Sequence, residues 1–407
     1  MSNHWESKRI IDLLGKDSLF TDGDWIESKD QDQNGSVRLI QLADIQDGHF
    51  DQRSAKFMTS KRSEELRTTK LQAGDLLIAR MPDPIGRSCI FPGAYQECVT
   101  VVDVAVIRTN QCDKKWLMYL LNSIEIRRQI ESKATGTTRT RISRGELGNI
   151  KLKVPSIPEQ QKIAKILTGI DKYISLINLN IEKLHFLFCA QRQKFLEKQS
   201  QWNQYKISDI ADPSEKYSLT GGPFGSDLKT SDYTESGIRI IQLQNIEDSN
   251  FNDKNKIYTS LEKASSLMSS NIFGGDLIIA KMGDPVAKCT SIPNDLSRCL
   301  MSSDGIRLKV DQKRFDNFFI ELSINSPYFR KKTNEISTGS TRQRIGLQEF
   351  RNLTIACPHL NEQRKISQIL SSIKNLTNVL DNKKIILNNL KIGFISDLLT
   401  GQTRVNV

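Results

Sequence analysis

Residues 135–143 read TGTTRTRIS and residues 338–346 read TGSTRQRIG, two versions of one phrase in a chain of 407 residues. Glycine lets the backbone approach a ligand closely, hydroxyl and amide groups bond phosphate oxygens, and arginine is a permanent cation. Thr137, Thr138, Arg139 and Arg141 in the first phrase, with Ser340, Thr341, Arg342 and Arg344 in the second, are therefore candidate contacts to a nucleic-acid backbone. The surroundings agree, because residues 132–153 carry six Lys or Arg against one Glu and residues 330–355 carry six against two. A second phrase, GDLLIARMPDP at 74–84 and GDLIIAKMGDP at 275–285, sets Arg80 and Lys281 at the end of an apolar run, with Arg87 and Lys288 shortly beyond. These four cations are further DNA candidates, and Gln41 and Gln242 carry the amide that reads an adenine edge. The plainer readings are a solvated basic turn, a strand-end cation in water and a structural glutamine.

The elements that must hold these residues also come in pairs. VRLIQLADIQDGHF (37–50) matches IRIIQLQNIEDSNF (238–251) at 7 of 14 positions with an offset of 201, and the offset is 203 from the arginine phrases onward. The chain is a tandem duplication. In each copy short β-branched runs, such as VRLIQL, DLLIARM, VTVVDVAVI and IKLKV, read as strands separated by Gly, Asp, Asn and Pro. One helical segment, WLMYLLNSIEIRRQIESK in the first copy and FDNFFIELSINSPYFRKK in the second, precedes the arginine phrase. The fold class is α+β, with a long helix closing each copy.

The first long helix opens at Ser156–Glu159, an S-x-x-E pattern that predicts a capping box. Ile163, Leu167, Ile170, Ile174, Ile177, Ile181, Leu184 and Phe188 then recur at steps of four and three, the seam of a coiled coil. In the second copy the run reads Ile366, Ile369, Ile373, Leu376, Leu380, Lys383, Leu387, Leu390 and Phe394, with Ile366, Ile373, Leu380 and Leu387 as its helix-pairing members. Apolar stripes of this length need a partner, so the two helices are expected to pair, antiparallel if the globular parts are to lie at opposite ends. The expected divisions are 1–155, 156–200, 201–357 and 358–407.

Composition narrows the chemistry. Against 47 Asp and Glu stand 58 Lys and Arg, a formal charge of +11 that favours a polyanionic partner, nucleic acid first. Seven cysteines at 89, 98, 112, 189, 289, 299 and 357 form no CxxC pair, and His4, His49, His185 and His359 have no ligand spacing, so neither a metal site nor a disulfide framework is expected. There is no phosphate loop, dinucleotide fingerprint, methyltransferase tetrad or HExxH helix, hence no visible catalytic residue. No apolar run spans a membrane and the first residues, MSNHWESKRIIDLLG, do not resemble an export signal, which makes the cytoplasm the expected location.

Two variable units, each closed by TGxTRxRI and by a P-x-x-x-E-Q-x-K-I helix start, resemble the specificity subunit of type I restriction-modification systems over the whole chain. The strings that carry this are TGTTRTRIS with VPSIPEQQKIAKIL, TGSTRQRIG with CPHLNEQRKISQIL, and the terminal DLLTGQTRV. The resemblance implies two target recognition domains, 1–155 and 201–357, that each read half of a split double-stranded DNA sequence, with helices 156–200 and 358–407 as a spacer. It further implies that two modification (methyltransferase) subunits dock on the helices, that restriction and translocase subunits join through the complex, and that S-adenosylmethionine, ATP and Mg belong to those partners. Base readout is expected from segments that differ between copies, 1–35, 51–70, 202–236 and 252–271, while the loop GPFGSDL at 222–228 reads either as a loop that meets DNA or as a plain surface turn. The rival reading is a coiled-coil adaptor whose basic domains bind RNA.

Overall fold

The structure of the chain, a computed structural model, describes residues 5–94, 96–136, 139–196, 200–339 and 342–406. It divides into two compact units, Met1–Leu179 with Asp381–Val407, and Asn180–Leu380. Each unit is thus one α+β domain joined to half of each long helix.

In the first unit, a four-stranded antiparallel sheet runs in the order Leu19–Asp22, Val104–Arg108, Leu76–Ala79, Ser88–Ile90. A smaller sheet sets Val37–Ile40 between Phe57–Met58 and Cys98–Thr100. The second unit repeats the first of these with Leu219–Gly221, Gly305–Leu308, Leu277–Ala280 and Cys289–Ser291, and builds the other around Ile238–Ile241. VTVVDVAVI, one apolar run, is therefore two strands in two sheets, because Val101–Val104 turns between them.

The expected single helix before each arginine phrase is also two. Lys114–Leu121 and Ile124–Lys133 meet at Asn122–Ser123, and Asn317–Ile324 and Pro327–Ile336 meet at Asn325–Ser326. Each serine caps the second helix, while each asparagine bonds the nearby strand: Asn122 to both backbone groups of Ser88 at 2.9 and 2.8 Å, Asn325 to those of Cys289 at 3.0 and 2.7 Å. The break exchanges one turn of helix for two hydrogen bonds that fix the helix pair to the sheet.

The long helices span Ile157–Leu196 and Leu360–Thr400. At about 1.5 Å per residue each is a rod of roughly 60 Å. In the first unit Ile163, Leu167, Leu398 and Leu399 belong to the same buried cluster as Trp116, Leu117 and Leu120 of the domain. Asp171 pairs with Lys391 at 2.5 Å and the Lys383 ammonium lies 4.9 Å from the Tyr173 ring, so rising numbers on one helix meet falling numbers on the other and the pairing is antiparallel. In the second unit Phe188 and Phe195 pack on the cluster that holds Ile366 and Leu370.

The first helix keeps its expected seam: Ile163, Leu167, Ile177 and Ile181 are buried, Ile170, Ile174 and Leu184 half-buried. In the second helix Ile366 is buried and Ile373, Leu380 and Leu387 are half-buried, but Ile369, Leu376, Lys383 and Leu390 between them are exposed. The covered positions are instead Leu370, Thr377, Lys384 and Lys391, which lie 203 residues beyond Leu167, Ile174, Ile181 and Phe188. Both helices use one register, and three polar occupants disguise it in the second.

The capping box is a further correction. Glu159 is buried, and its carboxylate accepts from the Arg404 guanidinium at 2.6 and 2.8 Å and from the Trp5 indole at 3.1 Å. A buried carboxylate is better compensated by a forked cation than by one amide.

Candidate nucleic-acid interface

Gly136 and Gly339 adopt φ of 114° and 105°, a region open to glycine, and an added Cβ would stand 2.5 and 2.6 Å from the carbonyl oxygens of Arg139 and Arg342. The turn closes by reciprocal backbone bonds, Thr135 with Arg141 at 2.9 and 2.8 Å and Thr338 with Arg344 at 2.9 Å both ways. It then docks on the end of the GDLxIA strand, through Ile142 N–H to the Arg80 carbonyl at 3.1 Å and Ile345 N–H to the Lys281 carbonyl at 2.9 Å. Thus both phrases of the repeat meet in space, in each unit separately.

Arg139 and Arg342 are exposed at the turn. Arg141 pairs with Asp103 at 3.1 Å and Arg344 with Asp304 at 2.9 Å, so the second arginine of each phrase holds the turn while keeping part of its side chain at the surface. Thr137, Thr138, Ser340 and Thr341 lie outside the described residues.

Arg80 and Arg87 do not join this surface. Arg80 is buried, donating to the Val102 carbonyl at 2.5 Å and pairing with Asp22 at 3.2 Å. Arg87 is buried as well, and donates to the carbonyls of Ile45, Leu42 and Pro84 at 2.7, 2.9 and 3.0 Å. Burial pushes both guanidinium pKa values down without removing the charge, and the carbonyl dipoles compensate it. They are internal ties, which corrects their assignment as phosphate contacts. Lys281 copies Arg80 with a single bond to the Ser303 carbonyl at 3.2 Å, and burial, helped by the neighbouring Arg344, lowers its pKa. Lys288 is half-buried and lines a cleft of about 700 Å³ with Gln244, Met282, Asp284, Asn334 and Arg342.

The glutamines sit at the start of a short turn. The Gln41 N–H donates to Asp44 at 2.7 Å, and Asp44, fully buried, also accepts from the N–H groups of Arg53 and Ser54 and from the Ser54 hydroxyl. The Gln242 N–H donates to Asn245 at 2.9 Å, and the Gln242 side chain accepts from Gln244 at 2.9 Å. Both glutamines are half-buried, their backbones engaged in the turn.

Sequence reasoning missed the residue that joins domain to helix. Gln160 accepts from Asp113 N–H at 2.8 Å and donates to the Pro155 carbonyl at 2.9 Å. Gln363 repeats this with Asp316 N–H at 2.9 Å and the Pro358 carbonyl at 2.8 Å. The signal was the glutamine of the repeated P-x-x-x-E-Q-x-K-I phrase. Elsewhere the cysteines are free and all but Cys189 are buried, with burial raising the thiols of Cys89, Cys112, Cys299 and Cys357 to about 12. Among the described residues no three His, Cys, Asp or Glu form a metal-holding group, and no helix is long and apolar enough to cross a membrane.

The model of the type I restriction modification DNA specificity domain matches residues 3–186 and again 199–389. The chain belongs to this specificity family. Its two copies are two type I specificity domains, and the fold expected of a type I specificity subunit, paired α+β domains with long pairing helices, is the one found. The specificity subunit is 23% identical to the putative type I restriction enzyme MjaX specificity subunit of Methanocaldococcus jannaschii, over 98% of this chain and 94% of that one. It is 24% identical to the MjaVIII specificity subunit of the same organism over 71% and 70%. Its fold resembles the S subunit of a type I restriction-modification system from M. genitalium, with a TM-score of 0.60, 13% identity and coverage of 98% and 97%. A chain solved in a study of complex assembly and conformational transition of the type I system aligns with a TM-score of 0.53 and 15% identity over 98% of both.

Proposed function

We propose that this specificity subunit reads a two-part, asymmetric sequence in double-stranded DNA, one half with each domain, and uses its paired helices as the spacer that sets the distance between halves. The observation that carries the reading is the duplicated turn: in each unit a glycine-closed loop presents one exposed arginine, Arg139 or Arg342, beside a second, Arg141 or Arg344, held by an aspartate. Such a turn grips phosphates in a defined register, while the segments that differ between copies face the bases. Lys288, on the cleft that Arg342 also lines, adds charge in the second domain where Arg87 of the first is an internal tie, and Gln41 and Gln242 stand at matching positions for base contact.

The subunit performs no chemistry itself. Two methyltransferase subunits dock along the helices, where Leu176 and Leu179 in the first unit and Ile369, Leu376 and Val379 in the second leave apolar surface exposed. S-adenosylmethionine, ATP and Mg act on those partners and on the restriction and translocase subunits, in the cytoplasm. Methylome sequencing of a host expressing the chain with its neighbouring modification subunit tests this. A new two-part methylated motif that appears only with the chain supports the reading; association of the two proteins with no new motif refutes it.

A further inference from the structure

The first domain begins its reading segment with Leu19–Asp22 and then Gly23, and the second with Leu219–Gly221 and then Gly222. In each case the glycine is pressed on the same turn: an added Cβ would stand 1.9 Å from the Val101 carbonyl oxygen in one and 1.7 Å from that of Ser302 in the other. The Gly23 N–H donates to Val104 at 2.7 Å and the Gly222 N–H to Gly305 at 2.9 Å, residues 201 apart like Val101 and Ser302. Two residues after each glycine stands a large aromatic side chain in solvent, Trp25 at 70% and Phe224 at 82% exposure. The surrounding sequences, DGDWIES and GGPFGSD, otherwise agree in little.

Single exposed aromatics are ordinary on a surface. A pair kept at one structural position, where the neighbouring residues have diverged and a hydrophobic core gains nothing from them, calls for a binding role. Position supplies the ligand. The turn that receives Gly23, Val101–Val104, is also the one whose Val102 carbonyl is bonded by Arg80 and Arg141 and whose Asp103 pairs with Arg141. In the second unit Ser302–Gly305 receives Gly222 on one side, while Ser303 and Asp304 hold Lys281 and Arg344. Each aromatic therefore follows, two residues on, a glycine packed on the short turn that also holds the arginine loop. Trp25 is oriented further by its indole N–H, which donates to Glu27 at 3.2 Å.

Resting on the function proposed above, we infer that Trp25 and Phe224 are base-contacting residues, each laying an aromatic face or edge against a nucleobase of its own half-site next to the phosphates gripped by the arginine loop. An apolar ring there gains stacking or wedge contact with bases and thymine methyl groups, which the cationic loop cannot supply.

The test uses the full complex with its modification subunits and a duplex carrying the methylated motif. Dissociation constants are compared for wild type, Trp25→Ala, Phe224→Ala and the conservative Trp25→Phe and Phe224→Trp, with Ile124→Ala and Leu261→Ala as controls for loss of exposed apolar surface elsewhere. Each alanine variant is expected to bind roughly 5- to 100-fold more weakly, a range set by the stacking contribution of one base. The conservative variants should recover most of the loss, and 2-aminopurine placed through the duplex should change fluorescence in one half-site for Trp25→Ala and in the other for Phe224→Ala. Selective wild-type binding with unchanged affinity in both alanine variants overturns the inference and leaves the proposed function standing. Failure of the wild-type complex to select any sequence overturns both. Loss of modification subunits from the alanine variants, with normal DNA affinity in complexes that remain whole, assigns the rings to a protein partner and also overturns the inference.

Discussion

Position 87 carries arginine and its counterpart 288 carries lysine, and the surroundings of the two side chains differ accordingly. The Arg87 fork occupies the carbonyls of Leu42, Ile45 and Pro84, whereas Lys288 leaves a cleft of about 700 Å³ in the second domain. Asp44, which gathers backbone N–H groups, becomes Asn245, which donates to the carbonyls of Asn252 and Asn255 at 2.7 and 3.3 Å. The junctions with the helices diverge in the same manner: Asp171 accepts from the Tyr119 hydroxyl at 2.6 Å and pairs with Lys391 in the first unit. Lys374, 203 residues later, pairs with the buried Glu321 in the second. Backbone and anchors are shared, while the polar filling is rewritten. Duplication thus preserves a scaffold that places two readers, and leaves their chemistry free to differ.

The shared part should break first. Gln160→Met or Gln363→Met strands one backbone N–H and one carbonyl, each of which costs about 1–3 kcal/mol when buried and unpaired, so calorimetry should show a loss of roughly 2–5 kcal/mol, similar in the two units. Next come the fillings. Arg87→Lys leaves those carbonyls short of donors and should cost about 2–3 kcal/mol, whereas Lys288→Arg, which copies the first domain, should cost nothing or stabilise by up to about 1 kcal/mol. Equal effects of the two exchanges would mean that the cleft is no real difference between the domains.

A smaller effect carries the clearest pH signature. Burial raises the Glu321 pKa above the usual carboxylate value, and the Lys374 ammonium works against that rise. A raised carboxyl pKa means that the folded state holds the proton more tightly, so this group favours folding below pH 4.5 and loses that contribution as pH rises through its folded pKa. Lys374→Met should therefore cost more at pH 8 than below pH 4.5, by about 1–2 kcal/mol, because only an ionised Glu321 needs the counter-charge, while the bond from Lys374 to the Ser249 carbonyl is lost at either pH. Asp171→Asn in the first unit, a more exposed pair, should cost only about 0.5 kcal/mol.

Much of this organisation was legible because the chain repeats. The α+β class and the pairing helices follow from periodicity and offset, whereas the meeting of the arginine phrase with the GDLxIA strand rests on backbone bonds between residues about 60 apart that no spacing announces. What was hidden depends on distant partners. Glu159 meets Arg404, 245 residues away, and no local pattern distinguishes that from a capping box. Arg80 and Arg87 look like surface cations until the carbonyls around them are known. In the second helix Ile369, Leu376 and Leu390 form an apolar stripe of correct spacing but on the exposed side. Carrying the first seam across by 203 residues would have found Leu370, Thr377, Lys384 and Lys391, at the expense of accepting polar residues in a seam.

One scaffold carrying two independent readers can be challenged with a chimera in which residues 202–357 replace residues 5–154, so that the Gln160 anchor meets a second copy of the second domain and Trp202 takes the place of Trp5. Methylome sequencing with the modification subunit should then show a target whose two halves are the same sequence, namely the half-site in which Phe224→Ala changes the 2-aminopurine fluorescence. A soluble, assembled chimera that still methylates the original asymmetric motif, or two unlike halves, would contradict the account.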